Sequence, residues 1–159
     1  MRTIDQWLDA YGESHRHPVN KLIHRIAVPI IVLDILGLLY ALPTERLGMG
    51  APNAAWLAVL LSLGFYARLS LPLAAGMTAL ALPTLALIAA VASALGAWFV
   101  PALAIVFVVA WIAQFVGHSI EGKKPSFTDD IQFLLIGPLW LLADAYRRTG
   151  LAYARLPSA

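Results

Sequence analysis

"VNKLIHRIAVPIIVLDILGLLYALP", residues 19–43, sets Asn20, Lys21, His24 and Arg25 against an apolar run broken by a single carboxylate, Asp34. A helix that crosses a bilayer needs about 20 mostly apolar residues, and about 17 at the least. Residues 26–42 meet that lower limit. The stretch therefore reads as a membrane span with a polar threshold. Two more histidines, His15 and His17, come just before it, and the fourth, His118, follows another apolar run.

The rest of the chain agrees. It is 60% hydrophobic and 13% charged, with a mean hydropathy of +0.77. A soluble domain sits nearer half apolar and a quarter charged. Between Arg25 and Glu121 the only charged residues are Asp34, Glu45, Arg46 and Arg68. Residues 51–67, 71–95 and 97–117 give three further apolar runs. The expected fold is all-α: a polytopic membrane bundle of four spans, forming a single integral-membrane domain over 1–159. Residues 131–146 are apolar but short and broken by Gly137-Pro138. They read as a re-entrant or interfacial helix, or as a short fifth span.

At the N-terminus Ile4, Trp7, Leu8 and Tyr11 fall at i, i+3, i+4 and i+7, the stripe of an amphipathic helix. Thr3 and Gln6 have the spacing of a capping box. Residues 1–18 are thus expected as a surface helix, and they lack the apolar core of a cleaved signal peptide. No cysteine occurs, which excludes disulfides, thiolate metal sites and cysteine nucleophiles. A net charge of +2 gives no basis for nucleic acid as a partner. Membrane lipid is the expected surrounding, and a homo-oligomer is left open.

Four crossings separate His24 from His118, and an even number returns the chain to the side it left. Arg16, Lys21, Arg25, Arg68, Lys123 and Lys124 share that side, whereas Arg46 stands beside Glu45 on the other. The positive-inside rule makes the histidine side cytoplasmic. In "WIAQFVGHSIEGKKPSF" (111–127), Trp111, Gln114, His118 and Glu121 follow steps of three, four and three, which keep to one helix face. Imidazoles plus a carboxylate, with positions left open, form the ligand set of non-haem Fe(II) oxygenases. Zinc hydrolases use a similar set. A non-enzymatic transporter or scaffold, with Asp34 as a proton site, is the third reading, because a carboxylate inside a span is by default a functional hypothesis.

The segments "YGESHRHPVNKLIHRIAVPI" (11–30) and "QFVGHSIEGKKPSF" (114–127) resemble the two signature segments of a family of small membrane-embedded, iron-dependent 2-hydroxy fatty-acid dioxygenases. Tyr11, His15, Pro18, Asn20, His24 and Pro29 fill the first pattern. Gln114, Gly117, His118, Glu121 and Pro125 fill the second. The resemblance implies that His15, His24 and His118 hold Fe(II), with Glu121 as a fourth ligand or as an acceptor that orients an imidazole. It implies oxidative cleavage between the first two carbons of a long-chain 2-hydroxy fatty acid, with O2 as co-substrate and CO2 released. Asn20, Gln114 and Tyr11 become candidates for holding substrate or ligands, and Arg16, Lys21 or Arg25 for pairing with the substrate carboxylate. His17 is expected not to ligate. A bacterial inner membrane, with the metal site facing the cytoplasm, is the expected location.

Overall fold

The computed structural model describes residues 2–43, 53–128 and 130–153. Glu45, Arg46 and the first residues of the 51–67 run lie outside the described residues. Among the described residues six α-helices follow one another: α1 (Ile4–Gly12), α2 (Pro18–Tyr40), α3 (Ala54–Leu69), α4 (Leu71–Leu95), α5 (Phe99–Glu121) and α6 (Phe133–Thr149). Short 3-10 turns lie at Gly96–Trp98 and Ser126–Thr128. There is no strand among the described residues.

α2 and α5 form the most extensive helix pair. They run antiparallel, since Asn20 meets Gly117 at one end and Gly37 meets Leu103 at the other. Both helices outrun the apolar stretches that announce them. α2 starts at Pro18, ahead of residue 26, and α5 continues past residue 117 to Glu121. A polar side chain does not end a helix; a lost N–H donor or a left-handed residue does. Proline sits at the first position of α2, and Gly122, with φ 69°, terminates α5. His24, His118 and Asn20 are therefore helical.

α2 and the continuous stretch Leu71–Glu121 are each long and apolar enough to cross a bilayer, while α3 is apolar but shorter. Leu60, Leu61, Ile105, Val109 and Ile112 are exposed. Such runs of exposed apolar side chains mark a lipid or protein contact.

α1 is fixed by its capping box: Gln6 N–H donates to Thr3 Oγ1 (3.3 Å), and Thr3 N–H donates to Gln6 Oε1 (2.9 Å). Its stripe of Ile4, Trp7, Leu8 and Tyr11 is buried with Phe133, Ile136 and Trp140 of α6. The pattern reports that a face is covered, and here the cover is the protein itself. α6 lies across the same end of the bundle. The Tyr66 hydroxyl donates to Leu135 O (2.9 Å), the Tyr146 hydroxyl donates to Pro72 O (3.2 Å), and Arg25 pairs with Asp144 at 3.2 Å. Those partners sit at the end of α3, the start of α4 and the start of α2. α6 thus closes the histidine-bearing end and does not run through the bundle.

Candidate metal centre

His15 lies in the link between α1 and α2, His24 on the second turn of α2, and His118 on the last turn of α5. Because α2 and α5 are antiparallel, these positions fall at one end. The ring centroids are 4.2 Å apart for His15 and His24, 5.1 Å for His15 and His118, and 4.8 Å for His24 and His118. One ligand nitrogen from each ring lies within 4.8 Å of the others. Exposures of 1%, 2% and 6% put all three rings out of water.

Backbone carbonyls fix two of the tautomers. His15 Nδ1–H donates to Tyr11 O (2.6 Å) and His24 Nδ1–H to Asn20 O (3.0 Å). Each Nε2 is then a free lone pair, as in metal sites where the second ring nitrogen is anchored. His15 Nε2 and His118 Nδ1 are buried with no hydrogen-bond partner. An unpaired buried nitrogen costs about 1–3 kcal/mol, so it calls for a ligand. Burial pushes the His15 imidazole down to about 4, outweighing its hydrogen bond to Tyr11, and the nearby His118 lowers it further. The ring is neutral at pH 7, the state a metal requires. Three buried imidazoles, of which His15 and His118 each carry an orphaned nitrogen, fit a divalent transition metal.

Glu121 stands beside this cluster but is not one of the grouped ligands. Its Oε1 accepts from Arg16 N–H (2.9 Å), and its Oε2 accepts from His17 N–H (2.7 Å) and Asn20 Nδ2 (3.2 Å). The carboxylate straps the His15 link to the end of α5. Asn20, fully buried, also donates to Ser14 O (3.0 Å). The Ser14 and Ser126 hydroxyls are 2.6 Å apart, tying that link to the turn after α5. Gly117 makes the arrangement possible, because a Cβ there would run into Asn20 Oδ1.

A cleft opens from the triad between α2, α5 and α6. Tyr11 and Gln114 line it, and the Tyr11 ring stacks on His15 with centroids 4.1 Å apart. Val28, Ile31, Ile35, Phe127 and Phe133 make it apolar. Arg16, Lys21 and Arg25 are not in its lining; Arg16 is exposed, and Arg25 is engaged by Asp144. His17 is exposed and caps α2, its Nδ1 accepting from Val19 N–H (3.2 Å). Asp34 is 1% exposed and unpartnered, but it lines no part of the cleft. Ser14, Ser126 and Phe133 carry no signal in the sequence that would attach them to a site; only chain folding brings them there.

Residues 1–149 match the Mpo1-like family, described as 2-hydroxy-palmitic acid dioxygenase Mpo1-like. The chain belongs to the Mpo1-like family. It is 31% identical over 145 residues to 2-hydroxy-palmitic acid dioxygenase MPO1 of Saccharomyces cerevisiae, covering 90% of this chain and 79% of that relative. No solved structure matches it.

Proposed function

We propose that this member of the Mpo1-like family is a membrane-embedded, iron-dependent dioxygenase that shortens long-chain 2-hydroxy fatty acids by one carbon. The observation that carries the reading is the triad of buried histidines at the mouth of an apolar cleft. Held by His15, His24 and His118, Fe(II) would keep open positions for O2 and for the substrate's carboxylate and 2-hydroxyl, and would supply the activation of oxygen. The overall change balances without another reductant: R–CH(OH)–COOH and O2 give R–COOH, CO2 and H2O. The C1–C2 bond breaks, C2 becomes the new carboxyl carbon, and O2 takes up the electrons.

The chain's own groups do the holding. The Tyr11 and Asn20 carbonyls keep the protons of His15 and His24 on Nδ1. Phe127 and Phe133 keep water from the cleft, and Val28, Ile31 and Ile35 receive the acyl tail along α2. In this reading α2 to α5 form the four spans, the triad faces the cytoplasm, and α1 and α6 lie at that interface. A lipid acid then enters from the bilayer with its carboxyl end at the metal.

The same all-histidine donor set also suits zinc and activated water, so the test separates the two. Detergent-purified protein is analysed for metal and supplied with 2-hydroxyhexadecanoate. Iron, O2 consumption and formation of pentadecanoate with CO2 are expected. Alanine at His15, His24 or His118 should bring bound metal to background and stop turnover. Glu121→Gln should keep the metal yet slow turnover by roughly 10-fold, as for groups that orient ligands from behind. Equal conversion without O2, or with zinc alone, would sink the dioxygenase.

A further inference from the structure

The cleft contains two polar atoms that neither the triad nor its strap uses. Trp111 Nε1 and Gln114 Oε1 are both buried and without a hydrogen-bond partner. They belong to neighbouring turns of one face of α5, three residues apart, with His118 four residues further on. Both side chains line the cleft, to which no lysine, arginine or carboxylate among the described residues contributes. Indole Nε1–H is a donor only, and an amide oxygen is an acceptor only.

A donor and an acceptor lining the same cleft restrict what can occupy it. A carboxylate would satisfy the indole and leave the amide oxygen unpaired. A methylene would satisfy neither. A hydroxyl satisfies both, accepting from Trp111 and donating to Gln114. We propose that Trp111 and Gln114 form a hydroxyl-reading subsite that selects 2-hydroxy acids over unhydroxylated ones before any chemistry occurs. This rests on the dioxygenase reading and deepens it: selectivity comes from α5 itself as well as from chelation at the metal. A site built to bond a substrate hydroxyl rejects the analogue lacking it far more strongly than an apolar pocket rejects one methylene, because its polar atoms are left bare.

The experiment measures equilibrium binding of 2-hydroxyhexadecanoate, 3-hydroxyhexadecanoate and hexadecanoate to metal-free protein in detergent, so that chelation cannot contribute. The wild type is expected to prefer the 2-hydroxy acid by roughly 100-fold or more over hexadecanoate. Gln114→Leu and Trp111→Phe should each remove most of that preference and bind hexadecanoate no more weakly than the wild type, which also reports an intact cleft. If one variant does not fold, the other carries the test. A wild-type preference that survives in the variants would overturn the subsite and leave the dioxygenase reading standing. A preference for the 3-hydroxy acid would overturn the assignment to the 2-hydroxyl. Failure of metal-loaded and metal-free protein alike to bind any of the three acids would overturn both readings.

Discussion

The two ends of the α2–α5 pair use the same device for opposite contents. Near the triad, Gly117 leaves room for the side-chain amide of Asn20; at the far end, Gly37 leaves room for Leu103, whose Cδ1 would be 2.8 Å from an added Cβ. At the first end the close approach seats a hydrogen-bonded group that Ser14 and Glu121 hold in place. At the second it seats the flexible apolar side chain of Leu103 in a cluster with Ile88 and Phe99. A glycine on a helix seam is thus worth what it makes room for. The Asn20 amide nitrogen is held by Ser14 and Glu121, so the amide cannot turn aside without breaking both bonds, whereas the tip of a leucine can turn to another rotamer.

This contrast predicts unequal costs for the same substitution. Gly117→Ala should have the largest effect. It displaces Asn20, loosens the strap to Glu121 and the His15 link, and should destabilise the protein by about 1–3 kcal/mol through overpacking. Bound metal and turnover should fall together, read by metal analysis and by thermal melts in detergent. Retention of both would remove Asn20 from the support of the site.

Asp34 sharpens the comparison from the other side. It is a buried carboxyl towards the far end with neither oxygen partnered. Asp34→Leu fills similar space without a bare polar group, so stability should rise by about 1–3 kcal/mol, with turnover unchanged. An inactive yet well-folded variant would give Asp34 a role in the reaction. The smallest effect is expected for Gly37→Ala, where Leu103 gives way and the gain in helix propensity, about 1 kcal/mol, offsets the crowding. A melting shift as large as that of Gly117→Ala would erase the distinction between the two ends.

Much of the architecture was legible because hydropathy and helical period are local properties. The α1 stripe at Ile4, Trp7, Leu8 and Tyr11 and the cap at Thr3 and Gln6 follow from neighbours in the chain. The helix starts and stops were less legible. α2 begins at Pro18 and α5 ends at Glu121, well outside their apolar runs, since apolarity reports burial or lipid and not hydrogen bonding. The partner of the α1 stripe was equally hidden, because a period does not say what covers a face.

The sequence by itself determined that the chain is helical and apolar, and it singled out Gln114, His118 and Glu121 by their spacing on one helix face, with His15 and His24 added by the resemblance of the two segments to a known family. Only the tertiary structure decided what each of them meets. The antiparallel α2–α5 pair brings three imidazoles within 4.8 Å of one another, while Glu121 turns to the N–H groups of Arg16 and His17. It also leaves Arg16 and Arg25 out of the cleft, and lays α6, with Phe133, across it. Spacing along one helix fixes which side chains share a face. What each of them meets depends on the segment packed opposite, and those segments come from some 100 residues away.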